Sequence, residues 1–348
     1  MNKFIRGVFF AFFCSSAIVN AQTSKAILIT TNNISLVLTI GANNRVYQSY
    51  LGKRLLNNEE TRLITNGKRE VYITGGMEDL LQPAIRLIHS DHNPSLELKY
   101  VSHATKSLGD DVSETTVQLQ DPKYPVQVIL HYQAFNREDI IKVWTEIKND
   151  EKGTITLQDY ASCMLHLEAK DYWLTQFHGD WASEMKMQES KLTSGVKEID
   201  SKLGTRADMY QTPVFFLALN KPADETTGEL IAGTLAWTGN FKFHFEIDER
   251  NALRIIPGIN SYASAYELKK GETFTTPAFI FTYSVNGKGQ ASRNLHKWAR
   301  NYGVLDGNKP RLTLLNNWEA THVNFDEKEL VNLFDDAEKT GYRSVFVG

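Results

Sequence analysis

Apolar and polar residues alternate with a period of two over most of the chain, from Ala26 to about Ser284. Half-buried strands have this alternation, because successive side chains point to opposite faces of a sheet. Asn and Gly residues that favour turns separate the alternating segments. The predicted strands include Ala26–Thr30, Ser35–Ile40, Thr116–Gln120, Val126–Tyr132, Ile141–Lys148, Lys242–Ile247 and Leu253–Ile256.

These strands predict a mainly β fold. Alternation is typical of antiparallel sheets with one solvated face, whereas parallel sheets carry continuous apolar runs. The alternating region is much longer than an immunoglobulin-like module, which has about 100 residues. We therefore predict one large antiparallel β-sandwich, a supersandwich, over residues 22–287.

Helical spacing replaces the alternation after Gly289. Apolar side chains recur there on one helical face, at Ala291, Leu295, Trp298 and Ala299. Gly303 and the polar segment 306–310 then break the helix. Residues 288–309 are therefore predicted to form a helical linker.

The pattern after Pro310 predicts a strand, a helix and a second strand. Residues 311–318 form the first predicted strand, and the helix over 326–340 begins at a capping Asp326. Residues 344–348 form the second, so the unit implies a parallel sheet. A (β/α)₈ barrel needs about 250 residues, and only 38 follow Pro310. We expect residues 310–348 to be the start of an incomplete (β/α)₈ barrel, with the chain ending in mid-fold.

The N-terminus resembles a secretory signal peptide. Lys3 and Arg6 precede a short apolar run, and small residues at Val19 and Ala21 favour cleavage after Ala21. A buried N-terminal helix is the alternative. Removal of residues 1–21 takes Cys14 with it and leaves only Cys163, interpreted as a buried apolar residue. An exported protein without disulfides fits a bacterial periplasm or an extracellular location.

Composition excludes several classes of function. The 348 residues carry a net charge of −3, which argues against nucleic-acid binding. No segment after the signal peptide reaches the roughly 18 apolar residues of a membrane span, so a soluble protein is expected. The histidines lack metal-ligand spacing, and Gly75-Gly76 opens no dinucleotide motif, so neither a metal nor a cofactor is predicted.

Two aromatic segments are candidates for ligand contact. Trp318 lies beside Asn316, Asn317 and Glu319 at the predicted carboxyl end of the first barrel strand, where barrels place their functional groups. An indole beside amides and a carboxylate suits a sugar, which has apolar faces and hydroxyl groups; the alternative is that Trp318 packs into the barrel. The segment 178–181 (His-Gly-Asp-Trp) is interpreted as a packed corner of the sandwich, with a ligand contact as the alternative.

Several segments together resemble glycoside hydrolase family 36, chiefly α-galactosidases. The resemblance covers roughly residues 60–348 in order. It rests on residues 317–321 (Asn-Trp-Glu-Ala-Thr), on 178–181 with Glu184, and on 239–241, 257–260 and 271–277.

The resemblance implies a β-sandwich, a catalytic (β/α)₈ barrel and retaining hydrolysis of terminal α-linked galactose from oligosaccharides. In such chemistry one carboxylate attacks the anomeric carbon and a second acts as acid and base. Both catalytic aspartates are expected beyond Gly348, so this chain alone is expected to be inactive. Trp318 is the one residue carried over as a substrate-binding residue, with no cofactor and no metal.

Two departures from the family pattern leave alternatives open. Leu81 stands where the family often has an arginine, in a loop that can reach a neighbouring subunit of a homo-oligomer, and Ala278 replaces an acidic residue. Both changes allow an α-N-acetylgalactosaminidase of the same family. A non-catalytic carbohydrate-binding or assembly module is the other alternative.

Overall fold

A computed structural model describes residues 26–56, 64, 69–76, 81–109, 111–206, 210–311 and 315–341. The predicted signal peptide and the second barrel strand lie outside these residues. The strands are β1 (Ala26–Thr30), β2 (Ile34–Ile40), β3 (Val46–Lys53), β4 (Arg69–Glu70), β5 (Ile85–Ile88), β6 (Lys99–Ser107), β7 (Val112–Gln120), β8 (Val126–Phe135), β9 (Ile140–Asn149), β10 (Ile155–Tyr160), β11 (Leu165–Glu168), β12 (Tyr172–Gly179), β13 (Lys186–Lys191), β14 (Gly195–Asp200), β15 (Tyr210–Leu219), β16 (Leu230–Leu235), β17 (Phe241–Ile247), β18 (Ala252–Ile259), β19 (Tyr266–Leu268), β20 (Thr273–Thr275) and β21 (Phe279–Ser284).

Strand pairing confirms the predicted antiparallel architecture. The largest sheet has the order β13-β12-β15-β16-β21-β9-β8-β7-β6, with β20 paired to β9. Three smaller sheets have the orders β11-β18-β17-β14, β1-β2-β3-β4 and β19-β10-β5. Every ladder between these strands is antiparallel.

The large sheet packs its apolar face on the β11-β18-β17-β14 sheet through a cluster of phenylalanines. Phe215 of β15 lies edge-on to Phe243 and Phe245 of β17, at ring-centroid distances of 5.2 and 5.0 Å. It also stacks on Phe279 of β21. These rings are fully buried, and each contributes about 1.5–3 kcal/mol by leaving water.

Gly233 of β16 is required by this aromatic core. A Cβ atom built there would lie 2.5 Å from Cζ of Phe279 and 2.9 Å from Cζ of Phe215. Because neither ring can move in a close-packed core, the absence of a side chain at 233 lets the rings approach the backbone of β16.

The chain divides into two compact units, and the division falls between Asn294 and Leu295, within the predicted linker. Helix α1 (Gly287–Trp298) begins two residues before the predicted start and continues into a π-helical turn over Ala299–Gly303. Its Ala291 is fully buried, as the helical spacing predicted. The predicted domain boundaries stay predictions.

The second unit contains a short helix α2 (Trp318–Thr321) and helix α3 (Glu327–Lys339). The predicted start of α3 is confirmed, since Asp326 accepts a hydrogen bond from the Glu329 amide at 2.8 Å. The structure describes only the two ends of the strand predicted over 311–318. The prediction is wrong for its last residues, because 315–317 form no strand and Trp318 begins a helix. Asparagine side chains bind nearby backbone and side-chain groups there and favour a turn.

Candidate functional site

Two asparagines shape the segment that carries Trp318. Oδ1 of Asn316 accepts a hydrogen bond from the Trp318 amide at 2.8 Å. Asn317 is only 1% exposed, and its Nδ2 donates to Oγ1 of Thr321 at 3.0 Å. Thr321 in turn donates to the Asn317 carbonyl oxygen at 3.1 Å. Asn317 therefore anchors the turn from inside, and the neighbouring Trp318 is left at the surface of its unit.

The indole of Trp318 is 48% exposed and has one ring neighbour among the described residues, His322. The two ring centroids lie 5.6 Å apart, with the rings nearly perpendicular. His322 has a φ of 51°, and its amide donates to the Trp318 carbonyl oxygen at 2.8 Å. The turn at His322 ends α2 and places the imidazole beside one part of the indole, and the exposed part of the indole stays open to a ligand.

The groups around Trp318 can provide both kinds of contact that a sugar needs. The indole offers an apolar face, and Asn316 and Glu319, both exposed, offer hydrogen-bonding groups. The role of Trp318 as a substrate-binding residue stays a prediction.

The packed corner predicted over 178–181 is wrong for its second half, since only the first two residues lie in β12 and are half-buried. Trp181 is 84% exposed, because the loop bonds to itself rather than to the core. Oδ1 of Asp180 accepts from the Trp181 amide at 2.7 Å, and Oε1 of Glu184 accepts from the Ala182 amide at 3.0 Å. Gly179 is needed here, since a Cβ would lie 2.1 Å from the Ser183 carbonyl oxygen.

His166 of β11 is a polar core residue that sequence reasoning missed. Its Nε2 lies 2.7 Å from the Glu70 carbonyl oxygen; a carbonyl only accepts, so Nε2 carries the proton and donates. Burial, with a smaller contribution from Arg254 and Arg69, lowers the pKa of His166 to about 4, although the hydrogen bond to Glu70 opposes this. The imidazole is therefore neutral near pH 7. Nothing in the sequence pattern distinguishes this histidine, because the alternation predicts which residues are buried but not which groups they form hydrogen bonds with.

We expect the stability of the protein to fall as the pH falls from about 6.5 to about 4. The unfolded chain takes up a proton on His166 near pH 6.5, whereas the folded protein does so only near pH 4. Unfolding is therefore favoured by proton uptake in this interval, by up to about 3 kcal/mol. Urea unfolding at several pH values, with His166→Gln as the comparison, measures this; the same pH dependence in both proteins would contradict it.

Other titratable groups are held in the core. The interpretation of Cys163 as a buried apolar residue is confirmed, since it is buried and burial raises the pKa of its thiol. His89 pairs with Glu151 at 2.6 Å, and His244 with Glu198 at 2.8 Å.

Among the described residues, no group of three or more His, Cys, Asp or Glu side chains could hold a metal ion. Within the same residues, no helix is long and apolar enough to cross a bilayer.

The fold and the Trp318 segment define a large antiparallel β-sandwich followed by a helical unit with an exposed indole. Residues 42–269 match the glycosyl hydrolase family 36 N-terminal domain, and residues 273–347 match the melibiase family. The chain belongs to glycosyl hydrolase family 36.

Similar proteins agree with this assignment. A probable alpha-galactosidase C of Aspergillus terreus is 27% identical over 327 residues, covering 87% of this chain and 43% of that protein. Alpha-galactosidase AgaA of Geobacillus stearothermophilus is 27% identical over 291 residues, covering 79% of this chain and 40% of that protein. The chain thus spans less than half the length of these curated relatives.

The solved structures of similar proteins share the fold. The crystal structure of AgaA superposes with a TM-score of 0.86 at 23% identity, over 93% of this chain and 50% of that one. The galactosidase domain of the AgaSK protein superposes with a TM-score of 0.85 at 24% identity, over 94% and 50%. Variants of AgaA have been crystallised in complex with raffinose and with stachyose.

Proposed function

We propose that this chain is the N-terminal part of a retaining α-galactosidase that hydrolyses terminal α-linked galactose from oligosaccharides. The observation that carries the proposal is the match of residues 42–269 to the glycosyl hydrolase family 36 N-terminal domain, followed by the match of residues 273–347 to the melibiase family. The relatives named above are alpha-galactosidases, and raffinose and stachyose complexes of AgaA indicate the substrate class.

The proposed reaction needs two catalytic carboxylates and a surface that binds the sugar. One carboxylate attacks the anomeric carbon and the other protonates the leaving oxygen, after which the second activates water. The family resemblance assigns both to later barrel strands, beyond Gly348. Trp318 contributes an apolar surface for the galactose ring, which orients the anomeric carbon.

An aryl α-galactoside assay tests this function. We expect turnover, with retention of the anomeric configuration by NMR, from a product of the gene that extends past Gly348. We expect none from the 348-residue chain alone, because neither catalytic carboxylate is assigned to it. The matching aryl β-galactoside is the control. Efficient turnover by the 348-residue chain, or inversion by the longer product, would contradict the proposal.

A second candidate is an α-N-acetylgalactosaminidase, which Leu81 and Ala278 allow because each replaces a charged group of the family pattern with an apolar one. Parallel kinetics of the longer product on aryl α-galactoside and aryl α-N-acetylgalactosaminide separate the two. A higher kcat/KM on the second substrate would favour this candidate.

A further inference from the structure

Three loops leave one end of the β11-β18-β17-β14 sheet side by side. The antiparallel register pairs Asp200, the last residue of β14, with Lys242 near the start of β17. It also pairs Phe241, the first residue of β17, with Ile259, the last residue of β18. The loops after β14, before β17 and after β18 are therefore neighbours in the first unit.

Two asparagines fasten these loops to one another. The Asn240 carbonyl oxygen accepts hydrogen bonds from Nε1 of Trp237 at 3.1 Å and from the Asn260 amide at 3.0 Å. Oδ1 of Asn240 accepts from the Gly204 amide at 2.7 Å. Oδ1 of Asn260 accepts from the Tyr262 amide at 3.0 Å. Trp237 and the start of the loop that carries Tyr262 thus share one acceptor, so they lie close together.

Both aromatic side chains of these loops are accessible. Trp237 is 41% exposed, and Tyr262 is 60% exposed. The indole of Trp237 lies against the turn at Gly239, where a Cβ atom would come within 2.7 Å of its Nε1. Because this contact and the bond to Asn240 fix the ring, little side-chain freedom remains to be lost when a ligand packs on it.

A compensated charge pair lies beside the tyrosine. Nζ of Lys202 lies 5.4 Å from the centroid of the Tyr262 ring and donates to Oδ2 of Asp200. Nδ2 of Asn260 donates to the same carboxylate oxygen at 3.1 Å. The side chains of Lys202 and Asp200 both stay partly exposed. The pair therefore offers donors and an acceptor to a ligand without a net charge.

These accessible groups suit a neutral sugar better than an anion or a purely apolar ligand. A pyranose has an apolar face that packs on an aromatic ring, and its hydroxyl groups both donate and accept. An anion would compete with Asp200 for Lys202. An apolar ligand would remove water from the charge pair without replacing its hydrogen bonds, which is unfavourable.

The surface formed by Trp237, Tyr262, Lys202 and Asp200 is called the loop platform below. We propose that the loop platform binds a neutral oligosaccharide, whose rings pack on the two aromatic side chains and whose hydroxyl groups bond to the charge pair. This site goes beyond the proposed hydrolysis, because all four residues belong to the first unit and none is assigned to the reaction. Such a site would hold a glycan on the sandwich independently of bond cleavage.

Calorimetric or NMR titration of the 348-residue chain with stachyose tests the site. We expect saturable binding, weakened about 5- to 20-fold by Trp237→Ala and by Tyr262→Ala, because each removes an apolar face. We expect Lys202→Met to weaken binding about 3- to 10-fold, since it keeps an unbranched side chain but removes the donors.

Trp181→Ala is the matched control. Trp181 is also an exposed indole of the first unit, but it lies in the loop after β12. We expect Trp181→Ala to bind stachyose as the parent does. Loss of binding in Trp181→Ala, with binding kept in Trp237→Ala, would contradict the proposal and assign the sugar to the segment 178–181.

Three further results would overturn the inference. They are no saturable binding of stachyose, unchanged affinity in both Trp237→Ala and Tyr262→Ala, and tighter binding of inorganic phosphate than of stachyose. If Trp237→Ala fails to fold, Tyr262→Ala provides the same readout. Sedimentation of the parent and of Tyr262→Ala covers the other occupant, because an oligomer that Tyr262→Ala dissociates, without stachyose binding, would make the loop platform an interface between copies.

The proposed hydrolysis can be judged separately. We expect Tyr262→Ala in the longer gene product to keep its turnover of a small aryl α-galactoside, since such a substrate needs no second sugar site. Absence of turnover in the parent would then count against the proposed function, while stachyose binding by the 348-residue chain would still support the loop platform.

Discussion

Replacement of Phe215 by alanine is expected to lower the free energy of unfolding by about 3–5 kcal/mol. Phe215 is fully buried and touches rings of both packed sheets, Phe243 and Phe245 on one and Phe279 on the other. Its removal leaves a cavity that β-sheets on both sides cannot close, so the lost contacts add to the lost transfer energy. Urea unfolding of the 348-residue chain, followed by far-UV circular dichroism, measures the difference.

Phe216 provides the matched control, since it is the same residue type one position further along β15. It points to the other face of the sheet, is only partly buried and has an edge contact with Phe177 at 6.1 Å. We expect Phe216→Ala to cost about half as much or less. Equal losses for the two variants would contradict the assignment of the inner face.

Replacement of Trp318 by alanine is expected to lower kcat/KM of the longer gene product on an aryl α-galactoside by about 10- to 100-fold. The change removes the apolar face on which the galactose ring packs, and a loss of this size corresponds to about 1.4–2.7 kcal/mol of transition-state binding. Steady-state kinetics on purified protein provide the measurement. Trp318→Phe should recover part of the loss, since it restores an aromatic face.

Val331→Ala is the control for Trp318→Ala. Val331 lies on α3 and is 48% exposed, the same fraction as Trp318, but it is aliphatic. We expect its kcat/KM to stay within about twofold of the parent. An equally small effect of Trp318→Ala would exclude Trp318 from the substrate pocket while leaving the family assignment intact.

Much of the sandwich could be predicted from the sequence, because the alternation of apolar and polar residues within each strand shows which side chains are buried. In β8 and β9, every second residue is buried, as the alternation indicated. The helix at 287–298 and the Asp326 cap were equally local features, decided within a few residues. The prediction of a strand before Trp318 was wrong for its last residues. Two asparagines there form hydrogen bonds with groups at most four residues away, which favours a turn.

The candidate sites depended on the sequence to different degrees. Trp318 was found because it lies in a short segment that resembles a family pattern. Trp181 was placed wrongly, because only the tertiary structure shows that Asp180 and Glu184 bond within their own loop. His166 and its hydrogen-bond partner Glu70 are 96 positions apart, so no spacing along the chain could have joined them.

By itself, the sequence determined the fold class and the family, since alternation and short ordered motifs are properties of neighbouring residues. Only the tertiary structure decided the order of the strands, for example that β21 lies between β16 and β9. It also decided which buried polar atoms find a partner, as His166 does at the Glu70 carbonyl oxygen. The physical reason is that burial on one face is a local requirement, whereas strand order and hydrogen-bond satisfaction depend on contacts between residues far apart in the chain.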